Sequence, residues 1–541
     1  MGVALLSCLS CIEIDNGIGG NLIPTRDQYS IHSAEIPIEH IEMRMADSLS
    51  GYSQSKIAFG AIRDEIFGLS VRESAVTLVP LNDTLDFGNV QKINHFKFTA
   101  TFDSTSVSTE GNERILQRVY AHETVLADDA DIAKLNDAND CAELIGPGSE
   151  NILKGAPILD GKSDLTLYFT DEYAQKFLSI AQGKILSKDM KSYLKEFPGI
   201  YLSTDVPAGN GGRINTFDVQ MNYNKNQYLL EGNYGELSIN TIFEGKEEAV
   251  DTTFFFYYGA MKFTQLDSLA TSYSNGTFPQ YAININRNSS RGLAGDADDV
   301  IYVEGGAGIK PVISAKELRN LTIRTIQDTL TAHSRPSADY SKAVLNKASI
   351  VLPFDLDTDY KDLDRLYPPR LSPTCRIWTD TTSSYMGLTD ASSENADQGD
   401  INRNICVYSP DITYHLQQVI LKDEDDKGFE TGNYDIWMLL MNKQTVITSN
   451  GNSSSDMSEY LQYLAYQNYY NSMYGGYNSY GSSYYNNYYS YMLAAMYAGN
   501  STSSTESFQL DKENYYKATL FGPGHDGAKP TLKITFSIPK E

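Results

Sequence analysis

Cysteine is scarce in this chain, with five residues in 541. Two of them, Cys8 and Cys11, stand at the extreme N-terminus, and Cys141, Cys375 and Cys406 are the only others. Three cysteines cannot make a complete disulfide framework. A Cys375–Cys406 bridge in an oxidising exterior is one expectation, and three buried thiols the other. No CxxC or Cys/His spacing suggests zinc. Positive charge is also short, with 43 Lys and Arg against 69 Asp and Glu, net −26 and a pI near 4.7. That balance excludes nucleic acid, whose phosphates need Lys and Arg, and it repels an anionic membrane surface. No apolar run of about 20 residues follows the N-terminus, so no helix is expected to span a bilayer.

Catalytic signatures are missing too. Seven histidines are scattered at His32, His40, His95, His122, His333, His415 and His525, none in HExxH, and no GxSxG elbow presents a serine. Gly305-Gly306-Ala307-Gly308-Ile309-Lys310 invites a phosphate-loop reading, but Pro311 follows where Ser or Thr is required, so a tight turn between strands is expected. Asp355-Leu356-Asp357-Thr358-Asp359, with Asp362 and Asp364, is the best calcium candidate. Tyr360 sits where an EF-hand needs glycine and Leu366 where it needs a bidentate Glu, so a solvated acidic loop is expected. Asp423–Gly428 reads as a polar hairpin tip by the same reasoning. Neither a cofactor nor a metal is expected.

The N-terminus is the most informative stretch that is present. Leu6-Ser7-Cys8 and Leu9-Ser10-Cys11 each set a small residue before a cysteine at the end of a short apolar run. A bacterial lipoprotein signal peptidase cuts before such a cysteine, which then carries lipid, and several acyl chains make a durable anchor. Cys11 is the expected acylated residue, with Cys8 the alternative; two chance cysteines in a buried N-terminus are the plain reading. No Lys or Arg precedes Arg26, so the basic start of a secretory signal is missing and Met1 is read as an internal, mis-assigned or trimmed start. Residues 1–11 are thus a truncated signal, and 12–30, rich in glycine, a flexible tether.

From residue 31 onward the pattern is β-rich. Phe96–Phe102 and Ser74–Val79 alternate with period two, as do Tyr281–Asn286 and Thr531–Ile538. Strands are also expected over Ile214–Asn222, Glu236–Phe243, Thr252–Tyr258, Tyr434–Ile447 and within Lys517–Ile538. Thr170 can cap a helix over Asp171–Gln182 and Ser187 one over Lys188–Phe197. Ala315–Asn320 and Tyr340–Lys347 look partly helical. The expected fold is mainly β, with β-sandwich-like domains, a few short helices, and two subdomains at about 31–165 and 166–541. Residues 450–506 are a Tyr/Asn/Ser/Gly-rich insertion between strands, holding 14 of the 38 tyrosines between Tyr460 and Tyr497. Tyr474, Tyr477, Tyr480, Tyr484, Tyr485, Tyr488 and Tyr489 are its candidate contacts with a partner or glycan. A partnerless disordered insertion is the alternative.

Several segments together resemble a known family. They are the lipobox cysteine, Gly17-Ile18-Gly19-Gly20-Asn21-Leu22-Ile23-Pro24, Asp47-Ser48-Leu49, Phe59–Gly68 and Tyr302-Val303-Glu304-Gly305-Gly306-Ala307-Gly308. They are similar to a Bacteroidota outer-membrane lipoprotein family filed as a domain of unknown function, over residues 11–540. Its motifs are structural glycines and aromatics and name no chemistry. The resemblance implies an outer-membrane lipoprotein, lipid-anchored and facing the cell exterior. Some such lipoproteins are accessory subunits of β-barrel machines, including the barrel-assembly machinery. Asp-Ser/Thr followed by an apolar residue or threonine recurs at Ser48, Thr84, Ser104, Thr252, Ser268, Thr329 and Thr381. It is similar to the O-glycosylation acceptor of exported proteins of that phylum, and it is also common turn chemistry.

The expected function is a non-catalytic binding or scaffold subunit of an outer-membrane complex. Its partners would be the membrane, through lipid, and an outer-membrane β-barrel protein or other lipoproteins. A glycan-binding lipoprotein for polysaccharide uptake is the first alternative, although only Trp378 and Trp437 could supply strong stacking platforms. A cell-surface glycoside hydrolase is the second; it needs a buried carboxylate pair in a cleft.

Overall fold

The computed structural model describes residues 28–108, 112, 115–127, 142–259, 273–274, 280, 282–333, 339–355, 360–378, 383–388, 390, 397–448, 503–512 and 514–540. The described chain is mainly β, in antiparallel sheets, with a few short helices. No described helix is long and apolar enough to cross a membrane.

The largest sheet closes on itself. Strands Val250–Gly259, Gly235–Ile242, Asn89–Val107, Gly211–Asp218, Lys56–Asp64 and Gly68–Pro80 follow one another as neighbours, and the last returns to the first through Phe256↔Pro80 to Gly259↔Thr77. Two long strands make the closure possible. Asn89–Val107 pairs with Gly235–Ile242 along its first half, with two register shifts, and with Gly211–Asp218 along its second, with one. The period-two apolar set then points into one core. Phe96 lies 5.0 Å from Phe169 and 5.2 Å from Phe256, and Phe177 lies 4.9 Å from Phe256. Each such ring contributes roughly 1.5–3 kcal/mol by leaving water.

Two helices seal this core. Thr170 caps Asp171–Ala181, its Oγ1 accepting the Tyr173 N–H at 3.3 Å. The second helix runs Leu186–Glu196 and takes its cap from a distant loop. Asp83 accepts from the Ser187 N–H at 2.7 Å and the Ser187 hydroxyl at 2.9 Å. Ser187 is therefore a capped residue inside the first turn, not the cap.

A second core is built from both ends of the described residues. Tyr29–Pro37 pairs with Thr531–Pro539 from Tyr29↔Pro539 to Pro37↔Thr531, and Val344–Pro353 flanks the other side. Phe536, Ile534, Leu345 and Ile350 point inward to meet Leu318, Ile326 and Leu330 of the helix Ala315–Ala332. That helix is three times the six residues expected. Four threonines weaken the sequence signal, yet Thr322, Thr325, Thr329 and Thr331 each donate a hydroxyl to the carbonyl four residues back, at 2.7–2.9 Å. A seven-stranded sheet completes this body, with Glu42–Met45, Ile309–Ile313, Arg370–Trp378 and Ile436–Thr448 among its strands.

The first body is nested inside the second. The chain leaves at strand Glu42–Met45, builds the ring and its helices, and returns at Gly295–Asp296, which pairs with the strand it left through Gly295↔Met43 and Asp296↔Glu42. The boundary expected near 165 instead runs through the larger core, where Leu159, Leu165, Leu167 and Phe169 pack together. Two helical expectations also change. Tyr340–Lys347 is one short 3-10 turn, Tyr340–Lys342, followed by a strand. Asp423–Gly428 is no hairpin tip, because Asp426 caps the short helix Lys427–Glu430 by accepting the Gly428 N–H at 2.8 Å.

Candidate functional site

The densest polar chemistry lies where the two bodies meet. Strand Ala282–Asn288 sets Asn284, Asn286 and Asn288 opposite Ser74, Arg72 and Ser70 of the ring strand. Ser70, Asn286 and Asn288 of this face reach the second body, the two asparagines donating to the Lys512 and Gly305 carbonyls at 3.1 and 3.3 Å. Asn284 and Ser74 bond Lys56 and Ala58 within the ring, and Ile283 and Ile285 are buried on the other side. From the second body come Glu304 and Lys517, direct partners across a two-stranded sheet, together with Lys310 and Asp511. Arg72, Glu304, Lys310, Lys517 and Asp511 are all buried.

Glu304 is the hub. Its carboxylate pairs with the Lys517 ammonium and accepts the hydroxyls of Ser70, at 2.8 Å, and Ser290. Lys517 also donates to Ser70 Oγ at 2.9 Å and lies 4.5 Å from the Phe67 ring centre and 4.7 Å from that of Tyr515. Burial opposes ionisation of Glu304, but the Lys517 charge and the hydrogen bonds of Lys517, Ser290 and Ser70 hold its carboxyl below the usual range. Burial pushes Lys517 down to about 8 and Lys310 to about 7, with the Glu304 charge opposing both shifts. Arg72 donates to Asn288 Oδ1 at 2.8 Å.

The glycine turn serves this cluster. Lys310 folds back and donates to the carbonyls of Glu304, of Gly306 at 2.9 Å and of Gly308 at 3.1 Å, three acceptors for the three N–H groups of an ammonium. A phosphate loop presents N–H groups outward to an anion; here carbonyls converge on a cation. Gly306 has φ +59°, and a Cβ there would lie 2.7 Å from Arg72 Nη2, while one at Gly308 would meet the Glu304 carboxylate.

Other perturbed groups do local structural work. Burial raises Asp390 to about 6, and its carboxylate accepts the Tyr414 and His415 N–H groups at the start of the helix Thr413–Ile420. Burial raises Asp435, which accepts the Ala315 N–H at 3.0 Å. Burial lowers His415 to about 4, and its Nε2 bonds the Tyr434 carbonyl at 2.9 Å. Glu424, Asp425 and Glu430 are exposed and share an open depression with Lys316 and Phe429.

The sequence candidates fall as follows. Cys375 and Cys406 are free thiols, so the bridge weighed between them is not formed. Cys375 is buried with its sulfur 3.8 Å from the Tyr434 carbonyl, and Cys406 sits in a turn 3.7 Å from that of Arg403. Among the acceptor candidates Thr84 and Ser104 are exposed, and Thr252 and Thr329 are half-buried. Ser48 is only 4% exposed, so the folded chain hides its hydroxyl. Asp364 pairs with Arg403. Among the described residues no three His, Cys, Asp or Glu side chains gather as a metal site. Cys8, Cys11, Cys141, Asp357, Asp359, Ser268, Thr381, most of the tether and the seven candidate tyrosines lie outside the described residues, as does the side chain of Asp362.

The base of the tyrosine insertion is described. Ile436–Thr448 pairs with Ser503–Leu510 in unbroken register from Met441↔Leu510 to Thr448↔Ser503. The neighbouring strand Arg370–Trp378 stops at Arg370↔Met441. Beyond Met441 the ladder therefore has two strands among the described residues, and residues 449–502 connect their ends. No family model matches this sequence, and comparisons with curated proteins and with solved structures also give no match.

Proposed function

We propose that this chain is a non-catalytic binding or scaffold subunit of an outer-membrane protein complex, anchored by lipid on Cys11, or Cys8, and facing the cell exterior. The observation that carries this reading is the two-stranded ladder, Asn442↔Gln509 to Thr448↔Ser503, at the base of the tyrosine-rich segment. A partner that meets a segment inserted at this ladder need not disturb either core. Tyrosine suits that contact, because each ring offers apolar area and a hydroxyl at low entropic cost. The ionic cluster fits a scaffold role, since it joins two bodies and spends its polar groups on one another. The lipobox triplets and the Bacteroidota lipoprotein resemblance support the location, and a β-barrel protein of the same membrane is the partner this reading names.

The test is purification of the chain from membranes in mild detergent, beside a variant in which a short Gly-Ser turn replaces residues 452–501. The expected result is one outer-membrane β-barrel protein that accompanies the full chain and is lost with the variant. The same companions with both chains, or none with either, would remove the reading. Retention of polysaccharide by the full chain alone would replace it with the glycan-binding alternative.

A further inference from the structure

The outward face of the terminal sheet combines exposed apolar and basic side chains. Register places Ile31, Ser537 and Val344 in one row across three strands, with Tyr29 opposite Pro539 in the next. Alternation sends Phe536 and Leu345 into the core and leaves this row outside, with Ile31 70% exposed, Tyr29 49% and Val344 48%. Behind it on the same face stand Ser33, Thr535 and Lys347, then Glu35 and Lys533. Lys540 follows, its N–H bonded to the Gln28 carbonyl at 2.8 Å and its Nζ 3.3 Å from Gln28 Oε1. Segments 28–37, 344–353 and 531–540 thus hold three lysines against one glutamate, in a chain of net charge −26.

Gln28 is also where the segment from the N-terminal cysteines joins the folded body. Sixteen residues, 12–27, separate it from Cys11. Sixteen residues reach about 55 Å at most. An acyl group on Cys11 would hold this corner of the sheet within that reach of the bilayer.

We propose that this face docks on an anionic bilayer surface, the one that holds the lipid anchor; the inference rests on the anchored reading given above. Lys347 and Lys540 would meet headgroup phosphates, each favouring the surface, while Lys533 stands 3.5 Å from the Glu35 carboxylate on the same face. Tyr29, Ile31 and Val344 would enter the interface, where tyrosine's apolar ring and polar tip both find partners. The acidic remainder is repelled by the same surface, so docking orients the body with this face inward.

The experiment uses the full chain with Cys8→Ser and Cys11→Ser, so that no acyl group contributes, and co-sedimentation with vesicles. Binding is expected to vesicles of phosphatidylethanolamine and phosphatidylglycerol, weaker binding to phosphatidylcholine, and a loss of bound chain as salt rises. Ile31→Asp and Lys347→Glu, both at exposed positions, should each lower the bound fraction by about fivefold while circular dichroism stays unchanged. Equal binding to both vesicle types, or binding indifferent to these substitutions, would overturn the proposal. Dimers that form without vesicles and vanish with Ile31→Asp would overturn it too, by assigning the face to a second copy. If the wild-type chain fractionates with cell membranes while the Ser variant ignores anionic vesicles, the anchor stands and this inference falls. If the Ser variant binds through this face while cysteine substitution leaves attachment in cells unchanged, the anchor falls and the face remains.

Discussion

Glu304 decides the character of the junction between the two bodies, because two serine hydroxyls and Lys517 converge on its carboxylate. Glu304→Ala would leave the Lys517 ammonium buried beside Phe67 and Tyr515 without its counter-charge. The expected loss is about 3–5 kcal/mol in denaturant unfolding, the usual result of removing one member of a buried pair. Ser33→Ala, on the outer face, should cost far less. The lysines also set a pH dependence. Lys310 at about 7 and Lys517 at about 8 lie below the 10.5 of an unfolded chain. Between these values the unfolded chain binds more protons, so stability should rise with pH from about 7 to 10. Below that window both states are protonated and the dependence on these groups ends. Lys310→Met should flatten the slope in denaturant titrations at several pH values. An unchanged slope would mean that Lys310 keeps its proton throughout. Little of this was legible in the sequence. Ser70, Arg72 and Ser74 alternate like the solvent side of an ordinary strand, and only the tertiary fold turns that side inward. Gly305–Gly308 was legible as a turn, but the cation it wraps was not.

Helix Leu186–Glu196 depends on Asp83, a residue about 100 positions earlier. Asp83→Ala should destabilise the chain by about 0.5–2 kcal/mol, the usual cost of a lost cap, and Ser187→Ala by less. Comparable melting curves for the two variants would contradict this assignment. The tyrosine-bearing hairpin makes the opposite prediction. Replacing residues 452–501 by a short turn should leave the melting temperature nearly unchanged, because loop closure changes by only about 0.6 kcal/mol per doubling of length. A sharp fall would mean that the segment packs into a core. Strands with clean alternation, such as Phe96–Phe102 and Thr531–Ile538, were legible because one face is apolar. Helix Ala315–Ala332 was legible only at its start, where Ser314 caps it. Its threonines satisfy their hydroxyls within the helix, which composition does not reveal.

At the scale of the whole molecule, the nested topology has a mechanical consequence. Both ends of the described residues lie in one sheet, through Tyr29↔Pro539, so a pull transmitted to Tyr29 is borne by that ladder and not by the inserted ring. The mainly-β character was legible from periodicity. The nesting was not, because the pairing of Glu42–Met45 with Gly295–Asp296 spans about 250 residues and leaves no local trace. The central claim, a lipid-anchored binding subunit, is tested most directly by mass spectrometry of the N-terminal peptide of the mature chain, purified from the membrane fraction. The account predicts a peptide that begins at Cys11 and carries diacylglycerol on sulfur and an acyl chain on the amine. The same lipids on Cys8 would move the anchor by three residues and leave the claim standing. An unacylated peptide running through Cys8 and Cys11 would contradict it.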